Sequence, residues 1–88
     1  MKTEIPEEKS IRRQLYRVLR KTGVNKEFIR PTASFREDLH FDKIDWTIFT
    51  FYLEGIFNIS VKDEELNKFG NVDDTLHYLK TELIYLNN

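Results

Sequence analysis

The segment from Asp42 to Phe57, DKIDWTIFTFYLEGIF, constrains this chain more than any other. It opens as a helix. Asp42 is placed to cap, and Asp45, three residues on, stands where the acid of a capping box stands. Past that start, Ile44, Trp46, Ile48, Phe49, Phe51, Tyr52, Leu53, Ile56 and Phe57 leave no clean polar face, and the only charges are Lys43, Asp45 and Glu54. A helix apolar nearly all round is either buried or presents a contact surface. A chain of 88 residues cannot bury one helix on every side. Phe49, Leu53 and Phe57 share an i, i+4, i+8 stripe suited to a core. Trp46, Ile48, Phe51, Tyr52 and Ile56 do not all fit that stripe. Together with Thr47 and Gly55 they form the candidate partner-binding face.

The chain has no cysteine, which excludes disulfides, thiolate metal sites and thiol nucleophiles. Packing alone must hold it, and 40% hydrophobic residues suffice for one core. Residues 1–88 are therefore expected to form a single domain, with 1–6 a flexible lead. Met1 to Ser10 is charged and lacks the apolar stretch of a secretory signal. No apolar run is long enough to span a bilayer. The expectation is a cytoplasmic domain with no membrane span.

Other helices are legible around the central one. Pro6-Glu7-Glu8 opens a helix, Ile11, Leu15, Val18 and Leu19 recur at helical spacing, and Gly23 caps it, so the first helix is expected at about residues 7–21. Pro31 forbids a helix through residues 24–39, where Phe28, Ile29, Phe35 and Leu39 are apolar pins on a long loop. A loop of this length is usually functional. After an extended link at residues 58–61, Asp63-Glu64-Glu65 opens a short helix with Leu66 and Phe69 on its apolar side, ended by Gly70. Asn71-Val72-Asp73-Asp74 caps a last helix over about 72–86, with Leu76, Leu79, Leu83 and Leu86 in step. The fold class is all-α: a small four-helix bundle of three longer helices, one short helix and a long first loop.

Charge divides the chain. Residues 1–36 carry ten cations against four acids, a net +6, and residues 37–88 carry four cations against eleven acids, a net −7. This predicts either internal pairing or two patches of opposite sign.

Several motifs fall in one register. Ala33-Ser34-Phe35-Arg36-Glu37-Asp38-Leu39 is followed by Asp42-x-Ile44-Asp45. Then come Leu53-Glu54-x-x-Phe57-Asn58-Ile59-x-Val61-x-Asp63-Glu64-Glu65 and Asn71-Val72-Asp73-Asp74-x-x-x-Tyr78-Leu79. Their order and spacing resemble the acyl carrier protein family over roughly residues 11–80. The resemblance implies an acyl-carrier-like four-helix bundle and a role in fatty-acid or polyketide-type acyl metabolism, with no catalysis of its own. In the family an Asp-Ser-Leu tripeptide at the start of the second helix carries a 4′-phosphopantetheine arm on its serine. Here the matching residues are Asp42, Lys43 and Ile44, and lysine has no hydroxyl to form the phosphodiester. No cofactor is therefore expected. The family's second helix is also rich in acids that meet basic patches on partner enzymes, whereas this one carries Ile48, Gly55 and Ile56 at matching positions.

Other chemistry is weaker. Lys43 at an exposed helix start lacks the burial that makes a lysine reactive. Asp38, Asp42 and Asp45 around His40 have the oxygens a divalent cation wants, but capping already explains two of them, and no metal is expected. His40, His77, Ser10, Ser34 and Ser60 are not framed by a nucleophile elbow. Arg12, Arg13, Arg17, Arg20 and Lys21 form a basic face without a recognition-helix arrangement, and nucleic acid is not expected as a partner. The sequence thus points to an acyl-carrier-like binding module, docking through its second helix to a protein such as an acyl-metabolism enzyme, or to a second copy as a homodimer. The alternatives are a carrier modified at another hydroxyl, Thr47 being nearest, or one whose site serine was exchanged for lysine by design. A third is an apolar-ligand-binding bundle with a pocket between the second and last helices.

Overall fold

A computed structural model describes residues 8–86, the last three through their backbone alone. The expected flexible lead, the Pro6-Glu7 helix opening and the Leu86 side chain lie outside the described residues. The order is α1 (Glu8–Thr22), a 3-10 turn (Lys26–Phe28), α2 (Lys43–Phe57), α3 (Asp63–Leu66) and α4 (Val72–Leu86). The fold is the all-α four-helix bundle the sequence predicts. No described helix is long and apolar enough to cross a membrane.

The ends of α1 and α2 within the described residues are explained locally. Gly23 takes φ 116°, a conformation that suits glycine, and closes α1 with its N–H on Arg20 O at 3.0 Å and the Val24 N–H on Leu19 O at 3.0 Å. Asp42 Oδ1 accepts from the Asp45 N–H at 2.9 Å while Asp45 Oδ2 accepts from the Asp42 N–H at 3.0 Å, a complete capping box. Asn58 ends α2 in the left-handed region at φ 56°. The Glu54 carboxylate then accepts the Val61 N–H at 2.7 Å, tying the link back to the helix it leaves.

The long loop is more ordered than its lack of period implies. Ser34 organises it: its N–H donates to Asp38 Oδ2 at 2.7 Å, and its hydroxyl accepts from the Glu37 N–H at 3.0 Å. The loop also caps α4. Val72 N–H donates to Ala33 O at 3.0 Å and Asp73 N–H to Pro31 O at 2.9 Å. Asn71 Oδ1 takes the Asp74 N–H, and Asp74 Oδ2 takes those of Gly70 and Asn71. Part of the loop is thus accounted for by holding the start of α4 in place.

The core joins Ile11, Leu15, Val18 and Leu19 of α1 with Phe49 and Leu53 of α2, Ala33 and Phe35 of the loop, Val61, Phe69, and Val72, Leu76 and Leu79 of α4. Of the expected loop pins, Phe35 is buried and Ile29 and Leu39 are half-buried, but Phe28 stays exposed. α3 is a single turn ending at Leu66, so Phe69 enters the core from beyond its end. Phe35, Phe41, Trp46 and Phe49 form one aromatic cluster, every pair of rings lying 4.8–5.7 Å apart.

Phe35 is at the centre of that cluster and 2% exposed. Phe35→Ala should therefore lower unfolding free energy by about 3–5 kcal/mol in urea titration. A loss under about 1 kcal/mol would show that the loop is not held by this ring.

Candidate functional site

The two ends of α2's apolar set go to different places. Phe49 and Leu53 are fully buried and Phe57 is half-buried. Trp46, Tyr52 and Ile56, expected on the open face, instead pack half-buried against the core. Trp46 is drawn in by Phe35 and Phe41. Exposure is left to Thr47, Ile48, Phe51 and Gly55, and to Ile44, which the sequence reading placed only as a flank of the family's attachment position. Ile44 is 67% and Phe51 71% exposed. Ile44, Ile48, Phe51 and Gly55 recur at steps of four, three and four, the spacing of one seam along a helix. At 100° per residue that seam lies opposite the stripe holding Trp46, Phe49 and Leu53. Nothing lies within 4 Å of where a Gly55 Cβ would be, so its backbone is open to close approach.

Lys43 is the first residue of α2 and exposed. Its carbonyl accepts the Thr47 hydroxyl at 3.0 Å. No described carboxylate lies within 4 Å of its amine. Beside it, between α2 and α3, runs a groove of about 390 Å³ lined by Lys43, Trp46, Thr47, Thr50, Phe51, Glu54, Asp63 and Leu66. This opening faces α3 and not α4, where the apolar-ligand alternative places a pocket. The Thr50 hydroxyl is buried at its wall and has no partner among the described residues. That atom is invisible to sequence reasoning, because only packing decides which helical threonine turns inward.

The acids near this end are already engaged. Asp42 and Asp45 cap each other's backbone, and Asp38 serves Ser34. The Asp45 backbone N–H, the largest influence, holds the Asp42 carboxyl below its ordinary pKa. Among the described residues no three His, Asp or Glu side chains gather as metal ligands. Phe41 is a functional-site neighbour the sequence reading passed over. It precedes the Asp42 cap, and Trp46 occupies the fourth helical position. Their rings meet at 5.0 Å as a hydrophobic staple, a pairing that the spacing alone would have revealed.

On α1 the expected pairing of opposite charge is scarce. Described ion pairs are Arg12–Glu8 at 3.1 Å, Lys80–Glu8 at 3.3 Å and Lys68–Glu65 at 3.9 Å. Arg13, Tyr16, Arg17, Arg20 and Lys21 line an open cleft of about 640 Å³. Burial raises the Tyr16 phenol above its ordinary pKa. Lys21 reaches over Tyr52 of α2, its Nζ 5.7 Å from the ring centroid.

No protein-family model matches the chain. Curated relatives do. An acyl carrier protein of Chlorobium luteolum is 34% identical over 73 residues, covering 82% of this chain and 94% of the relative. One from Wolinella succinogenes is 36% identical over 64 residues, covering 73% and 84%. One from Nitratidesulfovibrio vulgaris is 34% identical over 65 residues, covering 74% and 86%.

The cap at the head of α2 gives a pH signature. A carboxyl with a lowered folded pKa adds stability above its ordinary pKa and loses it as pH falls through the lowered value. Asp42→Ala should lower the melting midpoint by about 4 °C at neutral pH. The gap between variant and parent should close on acidification, as followed by circular dichroism. A gap independent of pH would place the effect in the backbone preference of the cap position and not in the charge of residue 42.

Proposed function

The chain belongs to the acyl carrier protein family, and we propose that within it the protein is a docking module that works without the family's arm. Acyl carrier proteins are carriers and not enzymes, and this chain is an acyl-carrier-like module tied to acyl metabolism. A phosphodiester needs a hydroxyl, and Lys43 offers an amine at the position the resemblance matches to serine. Thr47, the nearest hydroxyl on α2, lies a full turn further on and donates to the Lys43 carbonyl. Neither Lys43 nor Thr47 then inherits the attachment role.

The observation that carries the docking half is the open apolar row on α2. Ile44 and Phe51 are among the most exposed large apolar side chains described, although the core has room for Trp46, Phe49 and Leu53 of the same helix. Exposed rows of this kind mark contact surfaces more often than they serve the monomer. Ile44, Thr47, Ile48, Phe51 and Gly55 would meet a protein of acyl metabolism, with Trp46, Tyr52 and Ile56 backing them from the core side. Association with a second copy is the competing outcome, visible by sedimentation.

Incubation with coenzyme A, magnesium and a promiscuous phosphopantetheinyl transferase separates the docking module from a carrier. The native chain should keep its intact mass, with a known carrier modified in parallel. Lys43→Ser should gain one arm, mapped to residue 43. An arm on the native chain, at Thr47 or elsewhere, would overturn the reading.

A further inference from the structure

We propose that the partner presents an acidic amphipathic helix: its apolar side covers Ile44, Ile48 and Phe51, and its carboxylates meet Arg13, Arg17, Arg20 and Lys21 of α1. This inference rests on the docking reading above and names the chemistry of the occupant.

Three observations carry it. Arg13, Arg17 and Arg20 follow at steps of four and three, and with Lys21 they line one open cleft. Like charges three or four apart repel along a helix, so the row works against α1 until opposite charge meets it. The described acids of the chain do not meet it. None lies within 4 Å of these four cations, although residues 37–88 carry a net −7. Finally, the cationic set reaches the apolar row at its Lys21 end. Lys21 Nζ sits 5.7 Å from the Tyr52 ring centroid, and the Tyr52 and Phe51 rings are 5.3 Å apart.

An occupant must therefore be apolar on one side and anionic on the other, along a row about 16 Å long from residue 44 to 55 at 1.5 Å per residue. Three turns of an acidic amphipathic helix have that length and those two sides. A single-stranded RNA would supply charge without an aliphatic side for Ile44 and Ile48. An anionic bilayer would press a flat negative surface onto Asp42 and Asp45 at the head of the same helix, where both are partly or fully exposed. A twofold pairing of this face with its own copy would bring the two arginine rows together, which like charge opposes.

The test uses the whole chain and a labelled 20-residue amphipathic peptide with leucine on one side and glutamate on the other. A second peptide has lysine in place of each glutamate. Fluorescence anisotropy is read for the native chain, for Arg17→Glu/Arg20→Glu and for Phe51→Glu. Vesicles of phosphatidylglycerol and an oligouridine are run in parallel. All three substituted residues are exposed, and a melting curve of each variant checks that it folds. The native chain should bind the glutamate peptide and refuse the lysine peptide. The double variant should lose about tenfold in affinity for the glutamate peptide and gain binding to the lysine peptide. Added salt should weaken native binding. Equal binding of both peptides overturns the inference, as does no binding at millimolar peptide, or capture of vesicles or oligouridine in place of peptide. If Phe51→Glu abolishes binding while the double variant leaves it unchanged, the docking reading stands and the acidic partner falls. If neither variant alters peptide binding, both fall.

Discussion

The contact on which the rest depends is the aromatic cluster of Phe35, Phe41, Trp46 and Phe49. Two of these rings come from the loop and two from α2, and each touches the other three. The cluster does two things at once. It draws residues 31–41 onto the bundle, so that Pro31 and Ala33 carbonyls reach the first N–H groups of α4. It also sets the rotation of α2 about its own axis. Once Trp46 and Phe49 face inward, helical geometry leaves Ile44, Ile48, Phe51 and Gly55 no choice but to face out. The open row is thus a consequence of how the core is built.

Charge follows a complementary logic. Near the head of α2 and the start of α4, acids are engaged by backbone N–H groups: Asp42 and Asp45 at one, Asp74 at the other, with Asp38 on the loop between. A carboxylate that satisfies helix donors contributes to the fold and has fewer lone pairs for a metal or a second ligand. Among the cations of α1, Arg12 pairs with Glu8 and Arg20 and Lys21 suit the carbonyl end of the helix, but no described acid lies within 4 Å of Arg13, Arg17, Arg20 or Lys21. These acids are thus engaged locally, whereas Arg13, Arg17, Arg20 and Lys21 stay at the surface, with Lys21 reaching the Tyr52 ring next to Phe51 of the open row.

Much of this was legible in the sequence, and the reasons for the rest are specific. The bounds of α1, α2 and α4 follow from apolar period plus caps, and the end of α1, both ends of α2 and the start of α4 agree with the structure within a residue. Asp42 with Asp45 could be read because the capping box has a fixed spacing. The division of α2 into core and open sides was only partly readable. Phe49 and Leu53 announce themselves by period, but Trp46, Tyr52 and Ile56 are pulled half inward by contacts with loop residues and other helices, which one helix's pattern does not contain. Ile44 was legible as the neighbour of Lys43 but not as part of the open row. The loop's internal order escaped because Ser34 acts through single hydrogen bonds, and these leave no period. Which of the two expected outcomes of the divided charge holds, pairing or separate patches, was not readable for a similar reason. Net charge gives an amount and says nothing of distance.

Within the acyl carrier protein family, then, this chain keeps the bundle and its helix starts and carries an amine at the head of α2. Its second helix has two sides, one buried in the core and one open. Urea unfolding of Phe49→Ala and Phe51→Ala compared side by side tests that division most directly. The expected result is a loss of about 3–5 kcal/mol for Phe49→Ala and a change within about 0.5 kcal/mol for Phe51→Ala. Comparable losses for the two would mean that Phe51 is part of the fold, and the contact face would have no basis.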